Sequence, residues 1–203
     1  MKSERNLVIK LKEVLSPKFD KIWIHKKPSA SKKFRESLIL TLGKLPILQP
    51  EFDMLFRTFD GKLMAIETKI LTINQNGLNM PYYYGIGQAM SLLRFGFDHV
   101  GLWLFVNPKV SNDKLHSYGA EAWYFIRNEL SLPLEYSYFK VDTTTNPYGF
   151  QVMQYADSDS GFALIDIGSP SFKITWKYPN PLVHLDKSKI IRQNIEKYLN
   201  ERE

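Results

Sequence analysis

The chain contains no cysteine, which excludes disulfides and thiolate metal sites and leads to the expectation of a reducing, intracellular setting. Long apolar runs are missing too. The longest, Val100 to Val106, is about a third of what a membrane-crossing helix needs. Met1-Lys2-Ser3-Glu4-Arg5 leads into a stretch broken by Lys10 and Lys12, so no signal peptide is expected. A soluble cytoplasmic protein with no membrane partner is therefore the expectation. His25, His99, His116 and His184 stand far apart, with no second ligand at metal spacing, and read as structural or exposed. There is no internal repeat, no low-complexity tract, no Gly-x-Ser-x-Gly elbow and no phosphate loop ending in Gly-Lys-Ser/Thr. Gly85-Ile86-Gly87 fails as a dinucleotide loop, because position 90 is Met and no strand precedes it.

What is present suits one packed domain. The 203 residues are 44% apolar and 14% aromatic, enough for a sizeable core and too much for disorder. Net charge is +6, but it is unevenly spread: residues 1 to 44 carry 12 Lys or Arg against 4 acids, a local +8, and the remainder carries 15 against 17, a local −2. Lys26, Lys27, Lys32, Lys33 and Arg35 form a basic block interspersed with Ser29 and Ser31. Such a block attracts a phosphate backbone, so DNA is the expected partner; a solvated lysine-rich surface is the plain alternative.

Periodicity gives an alternating order of elements. Arg5 to Leu15 reads as a helix stopped by Ser16-Pro17, and Lys21 to His25 as a short strand, while 28 to 48 stays ambiguous between helix and strand. Glu51 to Thr58 and Lys62 to Ile70 read as a hairpin. After a polar loop, Asn74 to Asn79, Tyr82 to Phe95 reads as a helix, Val100 to Val106 as a strand buried on both faces, and Tyr118 to Leu130 as a second long helix. Strands are expected at Glu135 to Val141, Phe150 to Tyr155, Phe162 to Ile167 and Phe172 to Trp176, then a last helix from Lys187 to Leu199. The expected class is mixed α/β: a core over 1 to 132, and a β-rich C-terminal extension with its terminal helix over 133 to 203, packed into one compact domain.

Register decides whether the hairpin carries a site. A two-residue Asp60-Gly61 turn pairs Asp53 with Thr68 and sends Asp53 to the face opposite Glu67. A three-residue loop, Phe59 to Gly61, pairs Thr58 with Lys62 and Asp53 with Glu67, and Gly61 supplies the left-handed third position that this loop wants. It also puts Phe52, Met54, Phe56, Met64 and Ile66 on one apolar side. The longer loop is expected, with Asp53 and Glu67 at one spot and Lys69 one step along. Two carboxylates and an ammonium on one patch can hold a divalent cation and position a water against a phosphodiester. An ordinary strand face, where Glu51 or Asp53 pairs with Lys69, is the alternative.

Pro50-Glu51-Phe52-Asp53, 13 intervening residues, then Glu67-Thr68-Lys69 resembles the signature of the PD-(D/E)XK nuclease superfamily, with type II restriction enzymes, archaeal Holliday-junction resolvases and RecB-type domains among its members. The likeness covers roughly residues 1 to 106. Glu51-Phe52-Asp53 stands where the name has Pro-Asp, and Gln88 matches a glutamine that several members carry on the following helix, although position 92 is Leu and not Tyr. The resemblance implies a restriction-endonuclease-like core with a mixed central sheet flanked by helices. It also implies a Mg²⁺-dependent deoxyribonuclease, with Mn²⁺ as a substitute, acting as a homodimer because duplex cleavage needs two sites. Asp53 and Glu67 would be hard oxygen ligands for the ion, with the Thr68 carbonyl as a third. Lys69 would orient the attacking water or offset phosphate charge, and Gln88 would hydrogen-bond the nucleophile or fix the lysine. Some members add an acid from the first helix; Glu13 is the candidate by position and Glu36 a rival, each reading more simply as a surface acid. Glu51 could assist the metal. Tyr82, Tyr83 and Tyr84 could stack on bases, though packing at a helix start explains them as well. A junction-resolving endonuclease is the leading reading; a RecB-like exonuclease and a non-catalytic DNA-binding or assembly protein on the same scaffold are the alternatives.

Overall fold

Ser3 opens the first helix: its hydroxyl accepts the Asn6 amide at 3.2 Å, and Glu4 sits in the first turn, where a negative charge suits the helix dipole. Helix α1 (Glu4–Leu15) buries Leu7, Val8, Leu11 and Leu15, the single face that its periodicity defines. The computed structural model describes residues 3–45, 51–74, 77–79, 82–106, 112–145, 147–155 and 162–201. Strand β1 (Lys21–Lys26) follows, and the ambiguous stretch resolves as α2 (Lys32–Leu42), capped when the Ser31 hydroxyl accepts the Phe34 amide at 3.3 Å. The hairpin is β2 (Phe52–Arg57) and β3 (Leu63–Asn74). The expected polar loop holds a further strand, β4 (Gly77–Asn79), paired back onto β3. Next come α3 (Tyr82–Leu92) and β5 (His99–Val106), the latter buried at every position. Helix α4 (Asn112–Tyr124) begins six residues before its expected start, because its polar first turn carries no apolar rhythm, and it continues into a π turn (Phe125–Glu129). Strands β6 (Glu135–Asp142), β7 (Gly149–Tyr155) and β8 (Phe162–Asp166) precede helix α5 (Asp186–Asn200).

Among the described residues the strands form one mixed sheet in the order β1-β2-β3-β5-β6-β7-β8, with β4 off this path beside β3. The β3–β5 and β5–β6 pairs are parallel, and the others are antiparallel. The β-rich C-terminal part thus continues the sheet from β5. Apolar layers cover both faces. On one, α1 packs on Met54, Phe56, Met64, Ile66, Trp103 and Phe105. On the other, α2, α3 and α5 pack on Leu55, Leu63, Ala65, Leu102 and Leu104. Residues 172–176 are not the expected strand: Phe172, Ile174 and Trp176 pack on the α1-side core, but among the described residues the segment pairs with no strand. Alternation there records burial and not ladder formation. A buried cluster ties the segment just beyond it to the sheet: Glu135 Oε1 accepts the Tyr178 amide at 2.6 Å, and His99 Nδ1 lies 3.2 Å from that oxygen and 3.1 Å from the Tyr178 carbonyl. No helix among the described residues is long and apolar enough to cross a membrane.

The hairpin register positions everything that follows. Met54 pairs with Ile66, Leu55 with Ala65, Phe56 with Met64 and Arg57 with Leu63. The Thr58 amide donates to the Lys62 carbonyl at 3.0 Å and the Gly61 amide to the Thr58 carbonyl at 2.9 Å, so the loop is Phe59 to Gly61. Gly61 has φ 83°. One apolar assignment does not hold: Phe52 packs on the opposite face from Met54, against Phe95 and Phe97, with ring centroids 6.0 and 5.2 Å away. The β2–β3 ladder runs only as far as Met54, and His25, level with Asp53 on the other side of β2, has φ 48°. The regular pleat is interrupted there, and strict alternation ends with it.

A Cβ on Gly61 meets nothing within 4 Å, so the cost of replacing it is conformational. Gly61→Val should lower stability by about 1–2 kcal/mol, read as a lower urea midpoint with an unchanged denaturant slope. An unshifted midpoint would contradict the left-handed turn.

Candidate functional site

Beyond Met54 the Asp53 side chain takes over from the backbone ladder. Its Oδ2 accepts the Thr68 amide at 2.9 Å and the Thr68 hydroxyl at 3.1 Å. The carboxylate therefore lies along β3 at Thr68, beside Glu67 and not stacked over it. Glu67 is buried, and its Oε1 receives the Lys69 ammonium at 2.5 Å. The same Lys69 Nζ donates to the Thr68 carbonyl at 3.0 Å.

The lysine is held from behind by α3. A Cβ at Gly85 would come within 2.7 Å of a Leu102 methyl and 3.0 Å of Lys69 Cγ. Only glycine lets the helix backbone lie this close to the lysine stem. Gly85 thus acts as a steric contact inside a helix, as a glycine within a helical pattern often does.

A fourth charged group bears on the patch, and it is neither Glu13 nor Glu36, which are the surface acids that their simpler reading makes them. Glu13 pairs with Lys10 at 2.9 Å on the surface, and Glu36 with Lys32 at 3.6 Å on α2. Glu4, in the first turn of α1, is the acid whose charge meets Asp53, Thr68 and Lys69. The sequence offered a signal for it: an acid directly after a serine able to cap the helix. A helix started at Arg5 leaves it out.

The charges of these four groups act on one another. Burial, then the negative charges of Asp53 and Glu4, push Glu67 up to about 7 against the opposing pull of Lys69. Burial likewise raises Glu4; Lys69 pulls it back down, Asp53 adds to the rise, and Thr68 opposes it. Burial alone would lower Lys69, but Glu67, Glu4 and Asp53 outweigh it and hold the ammonium above its ordinary range.

The donor chemistry fits a hard cation: two carboxylates and one backbone carbonyl make an all-oxygen set of the kind Mg²⁺ takes, with waters and phosphate completing its shell. The set is not assembled around a common centre. Among the described residues no three Asp, Glu, His or Cys side chains form a group that could hold a metal ion. Glu67 Oε1 and the Thr68 carbonyl face the ammonium, and Asp53 Oδ2 faces Thr68.

Other expected residues lie elsewhere. Gln88 is exposed on α3. Glu51 is exposed and pairs with Lys27, not with Lys69. The basic block divides between two elements. Lys26 ends β1 and Lys27 follows it, whereas Lys32, Lys33 and Arg35 are on α2. There Lys33 pairs with Glu201 at 2.8 Å, and Arg35 donates to the Ser29 carbonyl at 2.6 Å. The side chains of Tyr82, Tyr83 and Tyr84 lie outside the described residues. No family model matches the chain, and neither a curated protein nor a solved structure matches it.

The Glu67 shift has a signed consequence. Its folded value lies above its ordinary 4.5, so between about pH 4.5 and 7 the folded protein binds more protons than the unfolded chain. Stability from this group is full at low pH and is lost as pH rises through about 7. In metal-free urea unfolding, the wild type should lose on the order of 3 kcal/mol relative to Glu67→Gln between pH 4.5 and 8. A difference that stays flat across this range would contradict the burial-driven shift.

Proposed function

We propose that this chain is a Mg²⁺-dependent deoxyribonuclease of the PD-(D/E)XK kind, an intracellular homodimeric endonuclease that hydrolyses phosphodiester bonds and accepts structured DNA such as junctions. The observation that carries the reading is the meeting of Asp53, Glu67 and Lys69, joined by Glu4, where the β2–β3 ladder ends. Ordinary packing does not ask for three acids and a lysine there, and each acid adds to the cost of the others.

Asp53, Glu67 and the Thr68 carbonyl are the groups that would hold the ion. When bound, the ion supplies charge neutralisation at the phosphate and makes a water more acidic. Lys69 then offsets charge on the phosphate oxygens or orients the water, from a stem that lies against α3 at Gly85. The exposed lysines at the end of β1 and on α2 supply attraction for the backbone of DNA, independent of base sequence.

A second reading has its own support. Because Lys69 already engages Glu67 and Thr68, the same patch suits a DNA-binding or assembly protein that cuts nothing. Incubation with supercoiled, linear and four-way-junction DNA, with and without Mg²⁺, separates the two. Internal nicks on closed circles support the endonuclease, stepwise loss from ends supports an exonuclease, and shifted but intact DNA supports the binding protein.

Asp53→Asn, Glu67→Gln and Lys69→Ala should each lower Mg²⁺-dependent cleavage by about 100-fold or more while leaving circular dichroism native. Retained activity in all three would remove this site from the chemistry. Neutralising Lys26, Lys27, Lys32 and Lys33 should weaken DNA binding and flatten its salt dependence, by about 0.9 in log–log slope for each phosphate no longer neutralised. An unchanged slope would reject the basic block as the binding surface.

A further inference from the structure

The Lys69 ammonium is bonded to two of the three oxygen donors assigned to a metal ion. Its Nζ lies 2.5 Å from Glu67 Oε1 and 3.0 Å from the Thr68 carbonyl. Glu4 and Asp53 also bear on it, so the ammonium is the cation of an otherwise acidic patch. A Mg²⁺ ion approaches its oxygen ligands to about 2.0–2.1 Å. A Mg²⁺ ion on the same two oxygens would stand close to the ammonium, and their repulsion in a partly buried site opposes shared occupancy. The side chain has little freedom to leave by another route. It is only 15% exposed, and its stem lies against the backbone of α3 at Gly85.

We propose that Lys69 occupies the cation position of this site until a divalent ion displaces it, and that the displaced ammonium is received by the phosphodiester of the substrate. The proposal rests on the metal-dependent reading above and goes beyond it by making metal and substrate interdependent. Without an anion, metal entry must break the Lys69 bonds to Glu67 and Thr68 and leave the ammonium unpaired among the site walls. With a phosphodiester present, the ammonium exchanges one anionic partner for another. Each ligand therefore raises the affinity for the other by the same factor, as linkage requires.

The test is Mn²⁺ binding to the full chain, followed by the electron paramagnetic resonance signal of free Mn²⁺ at constant ionic strength, with and without dimethyl phosphate. Wild type, Lys69→Met and Glu67→Gln are compared, with thermal melts to establish that each is folded. Lys69→Met should bind Mn²⁺ about tenfold more tightly than wild type, the worth of one charge-assisted hydrogen bond no longer broken. Dimethyl phosphate should tighten Mn²⁺ binding several-fold in wild type and have no such effect in Lys69→Met, and Glu67→Gln should lose the ion. Equal or weaker binding by a folded Lys69→Met, or a wild type indifferent to dimethyl phosphate, overturns the exchange while wild-type binding leaves the nuclease reading intact. A wild type that binds no Mn²⁺ overturns both. Should Lys69→Met fail to fold, the dimethyl phosphate arm on wild type decides alone.

Discussion

Burying the Glu67 carboxylate in the middle of β3 is the constraint around which this part of the molecule is arranged. A buried ionised carboxylate costs several kcal/mol unless it is paired and hydrogen-bonded. Asp53 and Glu4 make matters worse, and Lys69 is the group that makes the arrangement tolerable. Replacing such a cluster by apolar residues often leaves stability unchanged or improved. Under the proposed function that cost serves a ligand, whereas the buried His99–Glu135 contact is tied to the Tyr178 backbone.

The surroundings hold that cluster in place with ordinary means. A left-handed glycine sets the hairpin register, and the register brings Asp53 level with Glu67. The end of the ladder at Met54 frees the Asp53 carboxylate to bind the Thr68 amide. A serine cap fixes where α1 starts and so where Glu4 points. A glycine within α3 allows a helix to lie on the lysine stem. The two apolar layers keep the sheet between α1 and the α2, α3 and α5 group, so these contributions arrive at one edge of β3 from different elements.

Much of this was legible from the residues, and the failures are instructive. Apart from α2 and β4, the order of helices and strands followed from periodicity, and the three-residue turn followed from Gly61 together with the demand that Met54, Phe56, Met64 and Ile66 share a face. Phe52 escaped because alternation is a rule about paired backbone, and pairing with β3 ends before it. Residues 172–176 looked like a strand because a segment packed on a core from one side alternates in the same way. Glu4 was missed for a different reason. Which acid of a helix reaches a site depends on where the helix begins, which Ser3 signals, and on how it crosses the sheet, which no pattern within the helix carries. Gln88 shows the converse: a residue at a suggestive spacing can still be exposed.

The central claim is that Asp53 and Glu67 provide oxygens for one divalent ion on the β3 edge. The most direct measurement is anomalous X-ray scattering from crystals grown with Mn²⁺, which locates the ion without reference to activity. A single peak within about 2.5 Å of both carboxylates, with the Lys69 ammonium moved off Glu67, is the predicted result. Density for Lys69 still bonded to Glu67 in the presence of Mn²⁺, with the anomalous signal absent or at another place on the molecule, would contradict it.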